Sequence, residues 1–158
     1  MRVLLCVGED ADALLPDLAT AWREAAPACE VTTAVLPGAG PAAVGQAAPV
    51  GVFVPLDALG LASVASPGAG PLDAAAEAAD LVVVHLGALD GTTLREGLVA
   101  AAVRAAAPLA LPVVVLAGRS EVSRREWSGA GVSGVHETGP DVLAAVPRVA
   151  RTWAPSWA

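Results

Sequence analysis

Apolar and polar positions alternate along this chain in blocks that switch between two periods. Val3–Val7 (VLLCV) is a short unbroken apolar run. The stretch Ala13–Ala25 then places Leu14, Leu15, Leu18, Ala21 and Trp22 at helical spacing, and Pro27 closes it. Val31–Leu36 is the next predicted strand, followed by the breaker-rich loop Pro37-Gly-Ala-Gly-Pro41. Val50–Leu56 reads as a further strand, Ser66–Pro71 as another Gly/Pro-rich connection and Leu72–Ala79 as a short helix. Leu81–Leu86 (LVVVHL) and Val113–Ala117 are predicted strands on either side of a helix over Thr93–Ala107 that Pro108 ends. A short helix over Ser123–Ser128, a short strand over Val132–His136 and a helix over Asp141–Trp153 complete the pattern.

The strands at 81–86 and 113–117 show no polar alternation. A strand covered on both faces looks like this, which points to a parallel sheet between two helix layers. The expected fold is therefore α/β: one domain over residues 1–158, a three-layer Rossmann-like arrangement with a mostly parallel sheet and helices on both faces. Ligands of such sheets gather beyond the carboxyl ends of the strands, here Gly8–Asp10, Gly87–Thr93 and Gly118–Glu121.

Composition narrows the function classes. The chain is 55% hydrophobic with a mean hydropathy of +0.62, yet no apolar run reaches the roughly eighteen residues of a membrane span. Leu98–Leu116 is broken by Arg104, Pro108 and Pro112. Glu9, Asp10 and Asp12 stand where the apolar core of a secretory signal would continue, so a cytoplasmic chain without membrane association is expected. The net charge is −7, and all nine basic residues are arginines. Without a basic stripe, and with one Phe and no Tyr, the chain has neither the charge nor the stacking surface for nucleic acid. Cys6 and Cys29 are read as free thiols.

The segment Leu72–Gly118, LDAAAEAADLVVVHLGALDGTTLREGLVAAAVRAAAPLALPVVVLAG, resembles the C-terminal part of bacterial glycerate kinases. There a helix leads into a strand and a loop of the form T-G-E-G-x-x-D-x-Q-T-x-x-G-K, followed by a helix and a strand ending in L-A-G. The resemblance continues through Arg119–Glu126, Ala130-Gly131 and Arg148–Trp153, and includes the opening strand and Ala21–Pro27. It implies an α/β domain built from the family's first and last segments, with the family's inserted middle domain absent. It also implies a catalytic role for Asp90, cofactor contacts from Gly87, Thr93 and Arg95, and, if kinase function is retained, ATP, magnesium and glycerate as ligands.

Departures from the family pattern cluster at the chemistry. The family's glutamate falls on Leu86, its glutamine on Thr92 and its closing Gly-Lys on Glu96-Gly97. Its D-S-F-K-G loop is replaced by Gly8-Glu-Asp-Ala-Asp12, which puts carboxylates where phosphoryl transfer needs a cation. The expectation is a glycerate kinase-like domain with weak or no catalysis that serves as a binding or regulatory module. Two alternatives stand beside it. One is a working kinase completed by a partner chain; the other is an unrelated small nucleotide-binding protein of the universal-stress type.

Other residues have structural readings. Asp90, followed by Gly91-Thr92, suits a helix cap, and the Glu9/Asp10/Asp12 group suits a solvated acidic turn at a helix start rather than a metal site. His85 is expected to be a hydrogen-bonded, partly buried side chain, His136 to pair with Glu137, and Ser123/Glu126 to form a capping box. Arg119, Arg124 and Arg125 form the one basic cluster, an anion-site candidate. Trp22 and Trp153 are expected in the core, Trp157 in a frayed tail or at a partner contact. A homodimer is expected because the absent domain would have covered apolar surface.

Overall fold

The computed structural model of the chain describes residues 1–36 and 70–154. Its five strands are β1 (Arg2–Gly8), β2 (Glu30–Leu36), β3 (Leu81–Leu89), β4 (Val113–Ser120) and β5 (Gly134–Glu137). They form one sheet in the order β2-β1-β3-β4-β5, and every neighbouring pair is parallel. The helices are α1 (Leu15–Ala25), α2 (Pro71–Glu77), α3 (Gly91–Arg95), α4 (Gly97–Ala106), α5 (Arg124–Gly129) and α6 (Val142–Trp153). No described helix is long and apolar enough to cross a membrane.

Side-chain alternation splits the core into two layers. Val3, Leu5 and Val7 face α1 and α6 together with Leu81, Val83, Val114 and Leu116. Leu4, Cys6, Val82, Val84, Val113 and Val115 face the opposite way, onto Leu72 and Ala76 of α2 and Val99 and Ala102 of α4. Both faces of β1, β3 and β4 are therefore apolar because both are covered, which is the three-layer α/β arrangement the unbroken runs predict. Trp22 of α1 is fully buried in the first layer, and α1 and α6 lie side by side there. An aromatic of this size sets much of the layer's stability, since burying one such side chain contributes on the order of 2–3 kcal/mol. Cys6 and Cys29 are both free.

Several element boundaries differ from the sequence pattern. Continuous helical periodicity over Thr93–Ala107 conceals a break. Glu96 is extended (φ −129°, ψ 158°), and Gly97 sits at φ 73°, so α3 and α4 are separate helices. Only glycine enters that left-handed region without a Cβ penalty, and it lets the chain turn between the two axes. The helix over Ala13–Ala25 begins instead with a 3-10 segment, Glu9–Leu14, and becomes α-helical at Leu15, with Pro16 in its first turn. Strands β3 and β4 run three residues past their apolar runs, to Leu89 and Ser120. The predicted loop at Pro37–Pro41, the predicted strand Val50–Leu56 and Trp157 lie outside the described residues.

Candidate functional site

The order β2-β1-β3-β4-β5 reverses direction between β1 and β3, and in a parallel sheet the crevice beyond the carboxyl ends of the strands opens there. A cleft of about 510 Å³ occupies this end of the sheet. Its floor is His85 and Gly87 from β3 with Gly118 and Arg119 from β4. The connection Gly139-Pro140-Asp141, together with Val142 and Leu143 at the start of α6, forms one wall, and Leu14 closes the other side. The volume suits a small molecule.

Three of the lining positions are glycines, so backbone borders the cleft directly. A Cβ built on Gly118 would lie 2.5 Å from the Gly87 carbonyl oxygen. Gly139 adopts φ 66°, which turns the chain from β5 into α6. Thr138 anchors that turn, since its N–H and hydroxyl both donate to the Ala117 carbonyl, at 2.8 and 3.2 Å. Asp141 caps α6 by accepting the Ala144 N–H at 3.1 Å.

His85, Arg119 and Asp141 are the polar residues that line the cleft. The His85 ring lies 3.1 Å through Nδ1 from the Leu116 carbonyl, which can only accept, so Nδ1 carries the proton. Burial holds the imidazole below its ordinary pKa, although the Leu116 carbonyl and the nearby Asp10 carboxylate oppose the shift. The ring is therefore neutral at pH 7, and Nε2 is its remaining acceptor. Arg119 meets Glu121 at 3.3 Å in an exposed pair that holds neither side chain firmly. Beside it, the Ser120 hydroxyl is buried without a partner, while the Ser120 N–H donates to the Glu137 carboxylate at 2.7 Å.

Three of the four residues named from the kinase loop sit elsewhere. Asp90 follows β3 on the α2/α4 side and caps α3: Oδ1 accepts the N–H groups of Thr92 and Thr93, both at 2.8 Å. The Thr93 hydroxyl returns the interaction by accepting the Asp90 N–H at 2.8 Å. These bonds from Thr93 hold the Asp90 carboxyl below its usual range, with a smaller contribution from Arg119. Arg95 is exposed at the end of α3 and reaches back to within 4.0 Å of the Cβ position of Gly91. Of the four residues named from the loop pattern, only Gly87 lines the cleft.

Glu9, Asp10 and Asp12 are exposed in the 3-10 segment after β1. Among the described residues no group of three His, Cys, Asp or Glu side chains is arranged to hold a metal ion. Arg119 is the single basic residue among those lining the cleft. The Ser123/Glu126 capping box forms as the spacing predicts, with the Ser123 N–H donating to Glu126 at 2.8 Å. His136 corrects its expectation. It does not pair with Glu137 but accepts the Trp153 indole N–H through Nε2 at 2.8 Å. His85 is hydrogen-bonded and partly buried, as its sequence reading expects, whereas the Gly139–Leu143 wall is left unassigned by that reading. The available signal was the Gly139-Pro140-Asp141 turn immediately before a helix.

Residues 8–152 match the glycerate kinase family. No curated protein matches the chain. Among solved structures, a 3-dehydroquinate dehydratase-like protein from Bifidobacterium longum aligns over 97% of this chain and 98% of its own, at 15% identity and a TM-score of 0.48.

Proposed function

Because the chain belongs to the glycerate kinase family, we propose that it is a binding module of that family, one that holds a small hydroxy acid of the glycerate kind without phosphorylating it. The observation that carries this reading is the charge at the carboxyl edge of the sheet. Phosphoryl transfer is catalysed by positioning and by cations that neutralise the phosphates. Here a single arginine, Arg119, lines the cleft together with the carboxylate of Asp141. Glu9, Asp10 and Glu121 are exposed at the same strand ends. A triphosphate brought to this edge would meet more negative charge than positive. A monocarboxylate needs only one guanidinium.

The division of the motif supports the same reading. Asp90 and Thr93 satisfy each other and the first turn of α3, on the opposite side of the sheet from His85. Only residues 37–70 separate β2 from α2, which leaves no room for the family's inserted domain between them. In the cleft the chemistry divides between two groups. The Arg119 guanidinium pairs with the carboxylate, and His85 Nε2 accepts a proton-bearing hydroxyl.

Titration calorimetry of the full chain with glycerate tests the proposal. Binding that Arg119→Ala weakens at least tenfold, and that His85→Phe also weakens, is expected. Binding unaffected by Arg119→Ala would place the ligand elsewhere and overturn the reading.

A further inference from the structure

The end of α6 meets the sheet through two contacts that stand apart from its apolar face. The Trp153 indole N–H donates to His136 Nε2 at 2.8 Å, with the two rings edge to face at 89°. Trp153 also lies over Gly134 so closely that a Cβ there would sit 2.6 Å from the indole ring. Both partners belong to β5, an edge strand of the sheet among the described residues. The Trp153 side chain is thus seated on the one residue of β5 without a side chain and held there by one hydrogen bond.

That bond exists in one protonation state of His136. Nε2 accepts only while it is bare, so the imidazole must be neutral with its proton on Nδ1. An imidazolium presents N–H at both nitrogens and leaves the indole N–H facing another donor. The surroundings favour the neutral ring. Burial is the main cause, and the positive charge of Arg148 on α6 adds to it. From β4, the register partner is Leu116, an apolar residue. On its own strand Glu137 projects to the opposite face and already accepts the Ser120 N–H. No carboxylate among these neighbours stands ready to stabilise the charged ring.

The helix has a joint that lets its last turn respond. Pro147 lies inside α6 and has no N–H, so the Leu143 carbonyl lacks its intrahelical partner. Ahead of that joint, Val142 and Leu143 wall the cleft and Asp141 caps the helix. Beyond it, Val149, Ala150 and Ala154 are buried while Arg151 and Thr152 are exposed, so Trp153 is the one large side chain that fastens the final turn.

We propose that His136 and Trp153 form a proton-operated latch: neutral His136 holds the last turn of α6 on β5, and protonation releases it. This inference does not depend on the ligand read into the cleft. The latch is intact above the ordinary histidine value of about 6.5. Because the native pKa is lowered, the stabilisation it contributes is lost as the pH falls below that value and through the native one.

The test is the indole N–H resonance of Trp153 in the ¹⁵N-labelled protein, assigned by its disappearance in Trp153→Phe and followed from pH 8 to pH 5. The expected result is a titration of that resonance with a midpoint below about 6.5 and a gain in its solvent exchange, while the buried Trp22 resonance stays in place. In His136→Gln, where the amide oxygen accepts at every pH, the Trp153 resonance should hold still. A Trp153 signal that ignores pH in the native protein overturns the latch. So does one that titrates unchanged in His136→Gln, or one that moves only together with Trp22 as the whole domain unfolds. The native-protein measurement decides the question even if a variant fails to fold.

Discussion

Gly118 of β4 lies against the Gly87 carbonyl of β3, between the register pairs Leu86–Ala117 and Ala88–Arg119. Neither position carries a side chain, and the floor of the cleft depends on that. Gly118→Ala would place a methyl 2.5 Å from a backbone oxygen, which cannot swing aside as a side chain can. A loss of about 1–3 kcal/mol is expected, as for an overpacked core position, measured by urea unfolding. Gly129→Ala is the matched control. Nothing lies within 4 Å of its Cβ position and its φ is not positive, so its midpoint should not fall.

Asp90 and Thr93 form a reciprocal cap, and this separates a structural carboxylate from a metal ligand. Asp90→Asn keeps an acceptor oxygen at the cap and should melt near the native temperature, whereas Asp90→Ala should melt lower. Thr93→Val removes the returning bond and should fall with Asp90→Ala. Magnesium should raise none of these melting temperatures. A magnesium-dependent rise in the native protein that Asp90→Asn abolishes would reassign the carboxylate to a metal.

Cys6 is buried on β1, and burial pushes its thiol up to about 12. Its thiolate is therefore negligible at pH 8, and the thiol form does not attack disulfide reagents. Cys29 is only half-buried. Ellman's reagent should titrate at most one thiol in the native protein and two in guanidinium, and mass spectrometry should place the native adduct on Cys29.

How much of this was legible in the residues follows from what each signal depends on. The parallel, doubly covered sheet could be read from LVVVHL and VVVLA because burial on both faces is written locally. The Ser123/Glu126 box was legible for the same reason, as was the capping role of Asp90. The break at Gly97 was not, because Leu94, Val99 and Ala102 stay in helical phase across it and a lone glycine does not reveal the sign of its φ. That His85 is hydrogen-bonded and partly buried was legible, but its partner was not, because the Leu116 carbonyl lies on a neighbouring strand 31 residues away. The same holds for His136. Its neighbour Glu137 offered the obvious pairing, while the actual donor, Trp153, arrives from the far end of α6. The wall at Gly139–Leu143 joins His85 and Arg119 only through the strand order, which no local pattern contains.

The central claim is that this member of the family binds without phosphoryl transfer, and turnover tests it most directly. The purified protein would be incubated with ATP, magnesium and glycerate, and ADP and phosphoglycerate measured alongside thermal unfolding. The account predicts a rise in melting temperature with glycerate, corresponding to about 2.7 kcal/mol at a hundred times the dissociation constant. It also predicts that Arg119→Ala removes that rise, that ATP–magnesium gives none and that phosphoglycerate does not accumulate. Phosphoglycerate formed at ordinary enzyme rates, on the order of 10 per second, together with a rise in melting temperature with ATP–magnesium, would contradict it.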